Sequence, residues 1–193
     1  MNDIDVAASA PRADKARNRN HILDVAEQLF VEQGVTGSMD AIAKRAGIGP
    51  GTLYRHFPNR EALLAALLQA RDEELDDRVE VIAQEGDSGL VLQRWLEALD
   101  EYVTAFDGLP EPLRVALSER KGPLAITCQG FITTTERFLT AAQEDGVAQP
   151  WVRGRDLFLS VLATAWARDA ALADDASGEA LQNILRSGWA TPE

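Results

Sequence analysis

The chain has 193 residues, 46% of them hydrophobic and 26% charged, which excludes disordered and collagen-like classes and suits one or two globular domains. Nineteen Lys and Arg face 31 Asp and Glu, a formal charge of -12 that by itself argues against a nucleic-acid binder. Cys128 is the sole cysteine, so an intrachain disulfide and a multi-cysteine zinc site are excluded and a reducing cytoplasm is expected.

The start, Met1-Asn2-Asp3-Ile4-Asp5, is acidic where a signal peptide is basic and then apolar. The longest apolar run, Ala62 to Leu68, falls far short of the roughly 20 residues of a membrane span, so no membrane partner is expected. Residues 1–14 lack a sustained apolar period and read as a flexible N-terminal arm. From Arg17 the pattern turns helical: Ile22, Val25, Ala26, Leu29 and Phe30 form one stripe, and Gly34 supplies the stop. Ser38 is placed to cap a short second helix, with Asp40 in its first turn and Gly47 at its end. Pro50 fits the first position of a third short helix. Asn59 then caps a long fourth helix along Leu63, Leu64, Leu67, Leu68 and Leu75, and its Asp72-Glu73-Glu74 and Asp76-Asp77 carboxylates read as a solvated face. Further helices are predicted at about 88–107, 110–120, 123–144, 152–173 and 178–189. No segment alternates long enough for a strand, so the fold class is all-α with about nine helices.

The stretch from Ser38 to Arg60 carries the functional signal. Ala43 is the small residue a helix crossing needs, Gly47 serves the turn, and Leu53 anchors the next helix, which is helix-turn-helix spacing. This leaves Thr52, Tyr54, Arg55 and His56 exposed on the second of the two helices, as donors and an aromatic suited to phosphate and sugar. The Gly47-Ile48-Gly49-Pro50-Gly51 run is no nucleotide loop, since it follows a helix and lacks the phosphate-binding lysine and the dinucleotide spacing.

Ile42-Ala43-Lys44-Arg45-Ala46-Gly47-Ile48 and Gly51-Thr52-Leu53-Tyr54-Arg55-His56-Phe57-Pro58-Asn59-Arg60-Glu61-Ala62-Leu63 resemble the N-terminal signature of the tetracycline-repressor (TetR) family. The likeness covers roughly residues 17–70. It implies an N-terminal three-helix helix-turn-helix DNA-binding domain, 15–60, followed by a larger C-terminal helical ligand-binding and dimerisation domain, 61–193. It further implies a homodimer on double-stranded, palindromic operator DNA, most often a repressor, released by a small-molecule effector. On matching positions Tyr54, His56 and Arg60 would meet the sugar-phosphate backbone, Thr52 backbone or base, and Lys44 and Arg45 phosphate or base. Gly49 and Pro50 depart from the family's usual serine and polar residue, which moves base readout toward Gly51, Thr52 and Arg45. Gly37 stands where the family often has threonine, leaving Ser38 as the hydroxyl at the start of the second helix. The basic run Arg12, Lys15, Arg17 and Arg19 reads first as the solvated start of the first helix, with a groove-reaching arm as the alternative.

In the remainder, Trp95, Leu99, Tyr102 and Phe106 form one helical stripe, and Cys128, Phe131, Thr135 and Phe138 another. Mostly apolar with a few polar groups, these eight are the candidate ligand pocket. Residues 157–167 are apolar almost all round, and the last helix offers Leu181, Ile184, Leu185 and Trp189. Leu157, Val161, Ala165, Leu181, Leu185 and Trp189 are therefore the candidate two-fold interface.

No cofactor loop and no metal-ligand cluster is visible, and His21 and His56 have no nucleophile nearby, so an enzyme is not expected. The rival is a helical small-molecule carrier or adaptor without DNA binding. Charge partition favours the regulator: residues 1–60 hold 8 basic and 7 acidic residues, residues 61–193 hold 11 and 24. A near-neutral reading head on an acidic body predicts a shallow salt dependence for DNA binding.

Overall fold

A computed structural model describes residues 10–169, 174 and 176–191. Among them are nine α-helices: α1 (Ala10–Gln33), α2 (Met39–Arg45), α3 (Pro50–His56), α4 (Arg60–Ile82), α5 (Ser88–Val103), α6 (Pro110–Glu119), α7 (Pro123–Glu144), α8 (Gly154–Asp169) and α9 (Ser177–Trp189). No helix of the described residues is long and apolar enough to cross a membrane. The chain divides into two compact units, Met1–Leu67 and Leu68–Glu193.

In the first unit the stripe of α1 is buried as Ile22, Val25, Ala26, Leu29 and Phe30, with Ile42, Ala43, Leu53 and Phe57 completing the core. Each Leu, Ile or Phe removed from water contributes about 1.5–3 kcal/mol, which offsets the weak intrinsic stability of two seven-residue helices. Ser38 Oγ accepts the Asp40 amide at 3.2 Å, and Asn59 Oδ1 accepts that of Ala62 at 2.8 Å. Gly34 and Gly47 end α1 and α2 at φ of 72° and 66°, conformations a side chain resists. Gly37 is fixed by packing instead, because a Cβ there would lie 2.8 Å from Leu29 Cδ2. The expected arm needs correction: α1 already runs at Ala10, and residues 1–9 lie outside the described residues. Its first turns lie outside the reach of the apolar stripe, and Pro11 is tolerated there because a first-turn N–H has no helical partner.

In the second unit α5, α7 and α8 pack on one another, with α6 and α9 beside them. α5 ends at Val103, short of the expected 107. The Thr104 hydroxyl folds back on the Asp100 carbonyl at 2.7 Å, and Gly108 turns the chain at φ 79° ahead of Pro110. α8 spans Gly154–Asp169, and the expected continuation over 170–173 lies outside the described residues. Gly154 permits a close crossing: its amide donates to Glu136, and a Cβ there would stand 2.6 Å from the Glu136 backbone nitrogen. α9 is held by Asp100, which accepts Arg168 at 2.6 Å and Gln182 at 3.0 Å. The exposed pairs Arg78–Glu101, Arg114–Glu111 and Arg153–Asp156, and the partly exposed Arg94–Glu85, contribute little to stability. Arg120 closes α6 in the left-handed conformation (φ 53°, ψ 32°), where any residue but glycine costs about 1–2 kcal/mol.

Candidate nucleic-acid interface

α3 is seated by Leu53 and Phe57, both almost fully buried, which turns its other sides outward. Tyr54 is 45% exposed, Arg55 and Lys44 are exposed, and Thr52 and His56 are half-buried. Gly49, Pro50 and Gly51 form an exposed bare edge at the start of α3. A Cβ at Gly49 or Gly51 would meet nothing within 4 Å, so neither glycine is demanded by packing inside the chain. These positions present aromatic, hydroxyl and cationic groups on α3, with Lys44 on α2, beside open backbone, chemistry suited to the wall of a DNA groove.

Two expected contact residues are engaged inside the protein. Arg45 donates Nη1 and Nη2 to the two Glu32 oxygens at 2.6 and 2.7 Å, and these bonds hold Glu32 below its usual carboxylate range. Arg60 Nη1 donates to the Val35 carbonyl at 3.0 Å, tying the start of α4 to the turn after α1. Ser38 serves as the cap of α2. Arg19, outside the expected set, lies over the Phe57 ring at 5.2 Å and braces the end of α3.

All eight candidate pocket residues of the second unit are buried, Phe131 being the most exposed at 8%. Phe131 is the hub of the cluster: its ring meets Tyr102 at 4.8 Å, Trp95 at 6.3 Å and Phe158 at 5.9 Å, all edge-on. Phe158 was not among the expected residues, because the all-round apolar pattern of α8 hides which side turns inward. Trp95 Nε1 donates to Thr135 Oγ1 at 2.8 Å, and the Thr135 hydroxyl donates to the Phe131 carbonyl at 2.7 Å. Tyr102 donates to Asp72 Oδ1 at 2.5 Å. Burial pushes the Asp72 carboxyl above its ordinary range, against the lowering effect of that bond, and burial with the Asp72 contact pushes Tyr102 far up. The Cys128 thiol is pushed up to about 12 by burial, which leaves it unreactive.

Of the six candidate interface residues, Leu157, Val161, Ala165 and Trp189 are buried within the unit, and Leu181 and Leu185 are half-buried. The exposed apolar side chains of the same helices are Leu159 and Trp166 on α8 and Ile184 on α9. Trp151, in the turn before α8, is 71% exposed. Grooves of about 410 and about 460 Å³ run among these residues.

A short capped helix-turn-helix carrying an exposed contact face, with an all-helical unit after it, defines the class of helical transcriptional regulators. The family model described as bacterial regulatory proteins of the tetR family matches residues 22–67, and that of the SbtR-like transcriptional regulator C-terminal domain matches 87–191, over half of the chain. The chain belongs to the TetR family of bacterial transcriptional regulators. An HTH-type transcriptional regulator of Staphylococcus aureus (strain USA300) is 48% identical over 59 residues, which are 30% of this chain and 32% of that protein. The match thus spans about a third of the length of such curated relatives. The TetR transcriptional regulator SCO0520 of Streptomyces coelicolor superimposes with a TM-score of 0.57 at 29% identity, covering 89% of this chain and 98% of that one. FadR of Bacillus subtilis, solved in complex with stearoyl-CoA, shares the fold with a TM-score of 0.60 at 21% identity over 87% and 97% of the two chains.

Proposed function

We propose that this regulator is a repressor that binds a palindromic operator as a homodimer and is released by a small molecule held in the residues after Arg60. The observation that carries the reading is α3: Leu53 and Phe57 anchor it while Tyr54 and Arg55 stand outward, with half-buried Thr52 beside an open glycine edge. On this reading Lys44, Gly51, Thr52, Tyr54, Arg55 and His56 meet DNA, and Arg60 holds the head together as well as facing a phosphate.

Dimerisation would cover Leu159, Trp166 and Ile184, whose exposure supports an interface on α8 and α9 outside the buried residues of those helices. The aromatic cluster around Phe131 supports an apolar effector. Its rings pack edge-on against one another, so a ligand entering among them would have to part them and select a second arrangement. α4 begins at Arg60 and ends at Ile82, inside the second unit, and supplies covalent continuity for such a coupling. A mobility-shift titration with DNA from beside its own gene tests the reading. A retarded complex lost on Tyr54→Ala is expected; no complex at low salt refutes DNA binding, and a sedimentation mass of one subunit at micromolar concentration refutes the dimer.

A further inference from the structure

Residues 61–193 hold 11 cationic side chains among 24 acidic ones, so acidic partners are plentiful. Five of the cations are ion-paired, and Arg71 and Arg137 lie over phenylalanine rings at 5.2 and 4.6 Å. Of the other four, Arg120, Lys121 and Arg155 line one groove, between the end of α6, the first turns of α7 and the start of α8. All three are exposed, and none makes an ion pair with a described residue. Three exposed cations on one groove, none in an ion pair with a described residue, give that groove a positive local field that attracts an anion.

The rest of the groove is not built like a plain anion site. Leu117 and Ala125 are half-buried in it, and Ile126 is 76% exposed there, the most exposed large apolar side chain among the described residues. The groove is open to solvent and offers about 1080 Å³, room for a ligand of lipid or drug size to lie along it. Arg120 adds a separate indication. It occupies a left-handed position that glycine fills without strain, so the arginine side chain is kept against the preference of the backbone.

We propose that this groove binds an amphipathic anion, a phosphate or carboxylate head on an aliphatic chain. The head sits among Arg120, Lys121 and Arg155, and the chain lies along Ile126 and Leu117. The site is distinct from the aromatic cluster around Phe131 and does not depend on the DNA-reading role of α3.

Titration calorimetry on the full chain tests it, with decyl phosphate below its micellar concentration as the probe. Inorganic phosphate supplies the head alone, and decyl maltoside the chain with a neutral head. Saturable binding of one decyl phosphate per chain is expected, with both controls weaker by about tenfold or more. Arg120→Gly is expected to raise the melting temperature by relieving the left-handed strain while weakening decyl phosphate by about tenfold, the worth of one charge-assisted contact. Arg120→Glu with Arg155→Glu is expected to abolish binding with an unchanged circular-dichroism spectrum. Equal binding by inorganic phosphate, or undiminished binding by the charge-reversed variant, would overturn the proposal. So would a lower sedimentation mass of that variant without probe, because a second copy of the chain would then be the occupant.

Discussion

Glu32→Gln isolates one charge at the head of this regulator. Arg45 gives both of its terminal nitrogens to Glu32, at 2.6 and 2.7 Å, and the two side chains are 40% and 48% exposed. An exposed pair of this kind contributes little to folding, so the variant is expected to melt as the parent does. Its effect falls on DNA. Freed from its carboxylate, the guanidinium on α2 becomes available to one more phosphate. Each phosphate neutralised steepens the log–log salt dependence of binding by about 0.9. In the proposed homodimer both subunits release an Arg45, so the slope steepens by about 1.8 and a fourfold rise in salt is an additional loss of about 12-fold in affinity, with correspondingly tighter binding at the low-salt end. Fluorescence anisotropy with a labelled duplex from beside the gene, between about 50 and about 200 mM salt, measures this directly. Arg45→Ala alone is expected to leave the parental slope nearly unchanged, and the double variant to return to it. An unchanged slope in Glu32→Gln would show that Arg45 does not face phosphate, and the placement of α2 at the backbone would be wrong.

Thr135→Val keeps the side-chain shape but strands the buried Trp95 Nε1–H; a loss of about 1–3 kcal/mol in urea unfolding is expected, and no loss would mean that water replaces the hydroxyl. Asp72→Asn keeps an acceptor for Tyr102 and removes a carboxylate whose folded-state pKa is raised by burial. The folded form then holds the Asp72 proton more tightly than the unfolded one, so this group's contribution favours folding at low pH and fades as pH rises through its raised value. The stability of the Asp72→Asn variant relative to the parent should therefore increase from acid to neutral pH, and a constant difference across that range would contradict the burial effect. Trp166→Glu places a charge on the exposed apolar side of α8 and is expected to give monomers in sedimentation without a change in helicity; a retained dimer would move the interface elsewhere.

The local elements were legible because their signals are local. Ser38, Pro50 and Asn59 mark helix starts by chemistry that acts within three residues, and the structure uses each of them so. Gly34 and Gly47 likewise mark ends by a backbone angle. The pairing of Arg45 with Glu32 was not legible, since it spans 13 residues and exists only once α2 lies against α1. The inward side of α8 was hidden for a different reason. An apolar pattern on every side gives no phase, and only packing decides that Phe158 turns in while Leu159 and Trp166 stay out. The aromatic stripes named real neighbours, but spacing along one helix cannot say whether rings line a space or fill it.

The glycine edge of α3 has a consequence for how such a regulator changes its target. Gly47 is bound to its place by a left-handed backbone, whereas Gly49 and Gly51 have ordinary angles and open surroundings. A Cβ installed at 49 or 51 would displace nothing in the protein, and Gly51→Ala would add at most about 0.5–1 kcal/mol of stability. On the proposed reading of α3 as the DNA-facing helix, change at these two positions is uncoupled from core packing, which leaves operator preference free to shift there one substitution at a time without a compensating change in the core.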